Sequence, residues 1–351
     1  MDIIVNILLF ILILGFIVFV HELGHFTWAK ICGVYVYEFA LGMGPKIWSK
    51  KGKETTYSIR AVPIGGFCAM AGEDVEDDEL KKIPKKKRLQ SKTPFQRFLI
   101  MFFGAGNNFI SAFLLLFFIA LIWGGTTLNP VVTEVMDGGA AQQAGMQAGD
   151  KITYIDNHKI KTSDDISIYL AVGDHSKKTE IDVIKENGEK VTYRVMPQKT
   201  EQNGNEVYVY GIMMQQKQTH GFVASLRYMV EKSTSLCRQM TITLKYLFTG
   251  HISLKQLSGP VGIYSIVGQQ KESGIQNLLF LVAFLSINVG FINLLPLPAF
   301  DGGHIVFIII EILRGGKPVP PEIEAKVHTV GMILLLLLML VITISDVIKL
   351  F

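Results

Sequence analysis

The sequence predicts a polytopic α-helical membrane protein: four transmembrane helices, a membrane-associated β-hairpin region and an inserted small α+β domain. Three observations lead there. Hydrophobic residues make up 49% of the 351 and charged residues only 18%, below the roughly 25% usual in soluble domains. Four apolar runs, Ile3–Val20, Phe98–Trp123, Leu278–Leu295 and Val330–Ile344, can form helices across a hydrocarbon core of about 30 Å. Between the second and third, residues 128–216 turn polar, with mixed strand and helix patterns over the length of a small domain. The organisation that follows is a membrane half at 1–127, the small domain at 128–216, surface helices at 217–277 and a second membrane half at 278–351. A net charge of +4 is too small to imply nucleic acid. Cys32, Cys68 and Cys237 are widely spaced, odd in number and without a C-x-x-C pair, so they read as structural thiols.

The first run, interrupted by Asn6 and Gly15, continues helically into His21-Glu22-Leu23-Gly24-His25, an H-E-x-x-H pattern. On a helix His21 and His25 stand one turn apart and can reach one metal ion. Glu22, on a neighbouring face, is placed to act as general base on a metal-bound water. Chance would produce such a pattern in about one chain in a hundred of this composition. Here it also ends an apolar run, where ionisable residues are costly and mark function. A signal anchor with a polar turn is the blander reading. Against a removable signal peptide stand the Met1-Asp2 start and the lack of a small-residue cleavage site.

Residues 29–97 carry 14 Lys and Arg, including the run Lys81 to Arg88. The positive-inside rule makes this loop cytoplasmic and the N-terminus external, and Arg314, Lys317 and Lys326 before the last span agree. The basic run reads as a topology determinant and solvated surface, with anionic-lipid binding as the alternative. Thr55–Gly72 reads as strand, bent at Pro63 and Gly65-Gly66. A hairpin here would offer an unpaired edge to an extended peptide or would simply pack. In the second span, Phe103-Gly104-Ala105-Gly106-Asn107-Asn108-Phe109 combines glycines that permit close helix approach with two asparagines that need partners. They serve either helix packing or the holding of substrate backbone.

Ala140 to Asp156 shows a small-residue helix, a glycine turn, Gly149-Asp150 and a strand, which resembles a bacterial PDZ domain; such domains take peptide tails by strand addition. From His220 to Gly250, apolar residues recur at helical spacing with basic residues between, as in two amphipathic helices on the membrane surface. Leu257-Ser258-Gly259-Pro260-Val261-Gly262-Ile263 follows as a breaker-rich turn. The third span ends in Asn293-Leu294-Leu295-Pro296-Leu297-Pro298-Ala299-Phe300-Asp301-Gly302-Gly303-His304. Prolines at the membrane edge free backbone that only an enclosed cavity tolerates, and Asp301 is costly there unless a cation holds it. Counting from outside at 1.5 Å per residue puts His21 about 27 Å deep, in the same leaflet as Asp301 and the Asn107-Asn108 pair. The site inferred is Zn²⁺ held by His21, His25 and Asp301, with water in the fourth position and Glu22 as base. His304 is left out of the ligand set.

HELGH, FGAGNNF, IGGFCAMAGED, LSGPVGI and NLLPLPAFDGGH together resemble the site-2 protease family of intramembrane zinc metalloproteases, in its bacterial regulator-of-sigma-factor type. The resemblance implies zinc on His21, His25 and Asp301 and catalysis by Glu22. It also implies that Asn293 and Asn108 orient the substrate strand, with the Gly65-Gly66 segment beside it. Substrates would be single-span membrane proteins, anti-sigma factors or remnant signal peptides, cut in a bacterial inner membrane. The termini and the PDZ-like domain would be external and the site near the cytoplasmic face. Two departures stand out: Ala105-Gly106 where glycine-proline is common, and one PDZ-like domain where some relatives carry two. A PDZ-bearing scaffold with a structural metal would have no need of Glu22, and a zinc transporter would want polar residues at more than one depth.

Overall fold

The computed structural model describes residues 2–73, 78–202, 205–214, 217–252 and 257–348. Asp74, at the end of IGGFCAMAGED, and Gln215-Gln216, at the end of the small domain expected above, lie outside them. The chain divides into two compact units, 1–115 with 254–351, and 116–253.

The first unit is built on α1 (Asp2–Ile31), an apolar helix about 45 Å long at 1.5 Å per residue. Its outer face carries exposed Ile3 and Leu12, 69% and 67% accessible, a surface suited to lipid rather than water. Two long strands follow, β1 (Val36–Lys51) and β2 (Thr56–Met70), and then a short helix, α2 (Asp78–Lys82). The expected hairpin is present but larger, and its partner lies upstream. The halves of β2 do not pair with each other; both pair with β1. Val36 to Leu41 lies opposite Met70 to Gly66, and Trp48 to Lys51 opposite Ile59 to Thr56, while residues 38–41 also flank 56–59. β1 turns at Gly42 and Gly44 and β2 at Gly65, all at positive φ, where L side chains are strained. At Gly42 a Cβ would lie 2.6 Å from the Val62 carbonyl, so the fold-back needs glycine. Part of the basic run is structural: the Lys87 ammonium pairs with Glu54, and the Arg88 guanidinium donates to the Ile83 carbonyl at 2.9 Å.

The second membrane helix is α3 (Pro94–Trp123), which starts four residues before the expected span. At the far end of the chain come α7 (Pro260–Glu272), α8 (Ile275–Asn293), α9 (Asp301–Leu313) and α10 (Pro321–Ile348). Helices α1, α3, α8 and α10 are long and apolar enough to cross a membrane. The breaker-rich LSGPVGI opens α7 with Pro260 in its first turn, where the missing N–H costs nothing. The Gly259 and Gly262 N–H groups both donate to Asp346 near the end of α10, at 2.7 and 2.9 Å. α10 begins nine residues before the expected Val330, because Pro321 and the polar Glu322, Glu324 and Lys326 form a soluble helical entrance to the apolar run. Two cores hold this unit. Ile13 and Ile17 of α1 pack with Val267, Leu281, Val282 and Leu285; Ala29, Phe39, Cys68, Ile100 and Ile308 pack around the other end of α1.

The second unit contains β3 (Gly125–Thr126), β4 (Glu134–Val135), α4 (Ala140–Gln143), β5 (Lys151–Ile155), β6 (His158–Lys159), α5 (Ser163–Val172), β7 (Thr179–Ile184) and β8 (Lys190–Val195), then β9 (Gln198–Gln202), β10 (Asn205–Val209), β11 (Ile212–Met213), β12 (Gln218–Thr219) and α6 (Phe222–Phe248). Its main sheet is antiparallel with order β6-β5-β7-β8 over a core of Ile152, Ile155, Ile166, Ile181, Val183 and Val195. Asp156 and Asn157, both at positive φ, make the two-residue turn between β5 and β6. Thr162 and Asp165 form a capping box at the start of α5. Where the periodicity predicts two amphipathic helices at 220–250, α6 is one. Ser233 and Thr234 return their hydroxyls to carbonyls four residues back, at 2.6 and 2.7 Å, so the hydroxyl-rich middle stays helical. Lys232 and Ser235 grip Asp164, and Arg238 grips Asp165, at 2.7–2.8 Å, fixing α6 to α5.

Candidate metal centre

Helical geometry sets His21 and His25 on one face of α1, their Nε2 atoms 3.3 Å apart. The third group arrives from far along the chain. After α8 ends at Asn293, the Pro296-Leu297-Pro298 segment turns the backbone, Ala299 adopts φ +71°, and α9 starts at Asp301. Gly302 must be glycine for this turn, since a Cβ there would sit 2.1 Å from the Leu295 carbonyl. Asp301 then lies with Oδ2 3.3 Å from His21 Nε2 and Oδ1 3.3 Å from His25 Nε2. Zinc binds such ligands at about 2.0–2.2 Å, which gives a tetrahedral set edges of about 3.3–3.6 Å. The three distances match in length, with the carboxylate meeting His21 through Oδ2 and His25 through Oδ1. Asp301 Oδ2 is moreover buried without a hydrogen bond, a state that a bound cation relieves and bare protein does not. The residues therefore fit zinc.

Support behind the ligands is equally specific. His25 Nδ1–H donates to the Ile100 carbonyl at 2.9 Å, which leaves the Nε2 lone pair facing the metal position. The Asn108 amide is fully buried and stands 3.4 Å from His21 Nδ1, while its Oδ1 has no partner. Turned by 180°, the amide gives that orphan oxygen the Nδ1–H of His21 and frees Nε2; a ligating histidine requires this orientation. Ser111 and Ser286 both donate to the Asn108 carbonyl, at 2.9 and 3.0 Å, tying α3 to α8 at this level. Asn107 donates to the Val20 carbonyl at 3.3 Å.

Close approach of α1 and α3 makes this possible. A Cβ on Gly24 would lie 1.9 Å from the Phe103 carbonyl oxygen, and one on Gly104 2.2 Å from His25 Nε2. Gly104 of FGAGNNF thus permits the close helix approach the sequence predicts, and Gly24 inside HELGH is its counterpart. Glu22 lies against β2: its Cγ is 3.3 Å from a Cβ built on Gly66, and its carboxylate accepts the Cys68 N–H. Gly65, at φ +83°, packs against Met43 and makes the bend that brings Gly66 there. Asn293 turns its Nδ2 back to the Val289 carbonyl at 3.0 Å at the end of α8. His304 stays outside the triangle and faces Glu324 at 3.1 Å. Burial, and further the charges of Glu73 and Glu22, push the Cys68 thiol up, away from the thiolate form. Residue-by-residue reading of the sequence missed Ile100, Ser111 and Ser286. Ile100 acts through its backbone and carries no side-chain signal; a serine in an apolar helix is signal enough, but it names no partner.

Fold and site together define a membrane-embedded zinc metallopeptidase. The chain belongs to peptidase family M50, whose family model matches residues 9–338. It is similar to the zinc metalloprotease RasP of Bacillus licheniformis, 33% identical over 421 aligned positions that cover 99% of each chain. It is also similar to the regulator of sigma-W protease RasP of Bacillus subtilis, 32% identical over 423 positions with the same coverage. The site-2 protease family and the zinc cofactor expected from the motifs are thereby established.

Proposed function

We propose that this protease cuts single-span membrane proteins within or beside their transmembrane segment, using Glu22 as proton carrier and His21, His25 and Asp301 as zinc ligands. The observation that carries the reading is the convergence of His21, His25 and the Asp301 carboxylate at 3.3 Å separations, with Glu22 next to His21 on the same helix. Zinc bound there supplies Lewis-acid polarisation of a carbonyl and acidifies water. Glu22 takes the proton from the attacking water and delivers it to the leaving amine. Asn108 and Ile100 hold the two imidazoles in the ligating tautomer. A substrate helix hides its carbonyls in its own hydrogen bonds and must unwind. The 66–70 segment of β2, paired along one side with 36–41, offers an extended edge next to Glu22 on which an unwound strand can lie. Gly65 shapes that edge, Gly66 lets the strand approach, and Asn293 borders the site from α8.

Anti-sigma factors and remnant signal peptides are the substrate classes we favour, in keeping with the name of the Bacillus subtilis relative. The basic residues of 29–97 favour a cytoplasmic position for that loop in a bacterial inner membrane, with the termini and the 128–216 domain outside. That domain is read as PDZ-like, and a cleft between α5 and the strands, lined by Met136, Ile166, Leu170, Tyr208 and Ile212, suits a peptide ligand. The test is cleavage of a single-span reporter by purified protein. Glu22→Gln should abolish cleavage with zinc content unchanged, and a chelator should abolish it reversibly. Cleavage that survives Glu22→Gln would overturn the mechanism.

A further inference from the structure

A second group of metal-binding side chains lies on the far side of the loop that presents Asp301. His304 of α9 meets Glu324 and His328 of α10, their ligand atoms all within 4.8 Å of one another. Glu324 and His328 are four residues apart and share one helix face. His304 Nδ1 lies 3.1 Å from Glu324 Oε1, and the two imidazoles stack with centroids 3.9 Å apart and planes at 15°. Nε2 of His328 is buried with no partner. Two imidazoles and a carboxylate are the donor set of borderline divalent ions, zinc above all. Two imidazoles on one tetrahedral ion aim their in-plane lone pairs at about 109° to each other with nitrogens about 3.3 Å apart, so binding requires the rings to turn out of their stack about χ1 and χ2 and bring donor atoms now within 4.8 Å closer together.

We propose that His304, Glu324 and His328 form a second, weaker zinc-class site, and that filling it inhibits the enzyme. The coupling comes from His328. Its Nδ1 accepts the Ala299 N–H at 3.1 Å, which braces the left-handed Ala299 two residues before Asp301. A neutral imidazole has one lone pair. Once that pair binds a metal, through either nitrogen, it no longer accepts from Ala299. The strained residue loses its brace, and the loop that aims Asp301 at the catalytic zinc loosens. A metal ligand must be held within about 0.2 Å, so little loosening is needed.

The experiment is zinc stoichiometry and reporter cleavage measured together on the purified full chain over a range of free zinc. Two ions per chain at high zinc and one at low zinc are expected, with cleavage falling as the second binds. Glu324→Gln leaves the His328–Ala299 bond in place. It should hold the stoichiometry at one and abolish the inhibition, with cleavage at low zinc unchanged. A double substitution of His21 and His25 should leave one ion, bound at the weaker affinity. A wild-type chain that stops at one ion, or inhibition that persists in Glu324→Gln, would overturn the proposal. A chain that binds a second ion at high zinc but cuts no substrate even at low zinc, with one ion bound, would instead count against the reporter or the proposed mechanism, because the stoichiometry does not depend on cleavage.

Discussion

Substituting Gly104 with alanine tests the geometry of the metal centre most directly. The added Cβ would lie 2.2 Å from His25 Nε2, 2.4 Å from its Cε1 and 2.9 Å from its Cδ2. Ordinary contact begins at 3.4 Å, so the ring must retreat by about 1.2 Å or the helices must part by a similar amount. Either movement exceeds the roughly 0.2 Å within which a metal ligand must be held. Overpacking of this kind costs about 1–3 kcal/mol of stability, which a four-helix membrane core survives. Zinc affinity is the property expected to fall. Changing only a group that hydrogen-bonds a ligand lowers metal affinity about 10- to 100-fold, and displacing His25 itself should reach or pass the upper figure. The assay is zinc content at buffered free zinc, with reporter cleavage in parallel. Gly106→Ala is the control, since its Cβ would meet only the Phe103 and Phe102 rings at 3.2 and 3.4 Å, and those rings can shift. Wild-type zinc affinity in Gly104→Ala, or equal loss in Gly106→Ala, would refute the account of why α1 and α3 meet on glycine.

Two further outcomes follow from the same structure. Asn108→Asp should keep zinc binding, because a carboxylate also accepts the His21 Nδ1–H, whereas Asn108→Leu should weaken it about 10- to 100-fold; equal affinities in the two variants would remove Asn108 from its orienting role. Glu38 in β1 is partly buried, which alone would raise its pKa, but hydrogen bonds from Ser58, Lys46 and Arg60 prevail and hold it below the ordinary value of 4.5. Its contribution to stability is therefore complete above pH 4.5 and is lost as pH falls through the lowered value. Thermal unfolding across pH 3–7 should show Glu38→Gln less stable than wild type at neutrality, with the gap closing in acid; a constant gap would contradict this.

Much of the fold was legible because membranes write strong local signals. Runs of apolar residues place α3 and α8 to within about a turn and locate the apolar parts of α1 and α10, since no other composition survives in hydrocarbon. The sheet was half legible. Thr56–Met70 shows alternation, but Val36–Lys51 contains Gly42, Gly44 and Pro45 and reads as loop, although those residues are what let the strand fold back on β2. The single α6 was hidden because Ser233, Thr234 and Ser235 interrupt the apolar repeat, and the bonds of Ser233 and Thr234 to preceding carbonyls and of Ser235 to Asp164 appear only in the folded helix. His304, set aside as a catalytic ligand, belongs to a cluster whose other members lie twenty and more residues away.

What the sequence determined by itself was chemistry and membrane class. H-E-x-x-H on a helix can hold a metal from one face, a carboxylate at a broken membrane helix needs a cation, and four long apolar runs need lipid. What only the tertiary structure decided was closure. Residues 25, 104 and 301 share no local periodicity. Their meeting depends on a glycine crossing between α1 and α3 and on a proline-bent loop whose Gly302 admits the Leu295 carbonyl. Those are steric facts between distant segments, and they bring His21, His25 and Asp301 within 3.3 Å of one another.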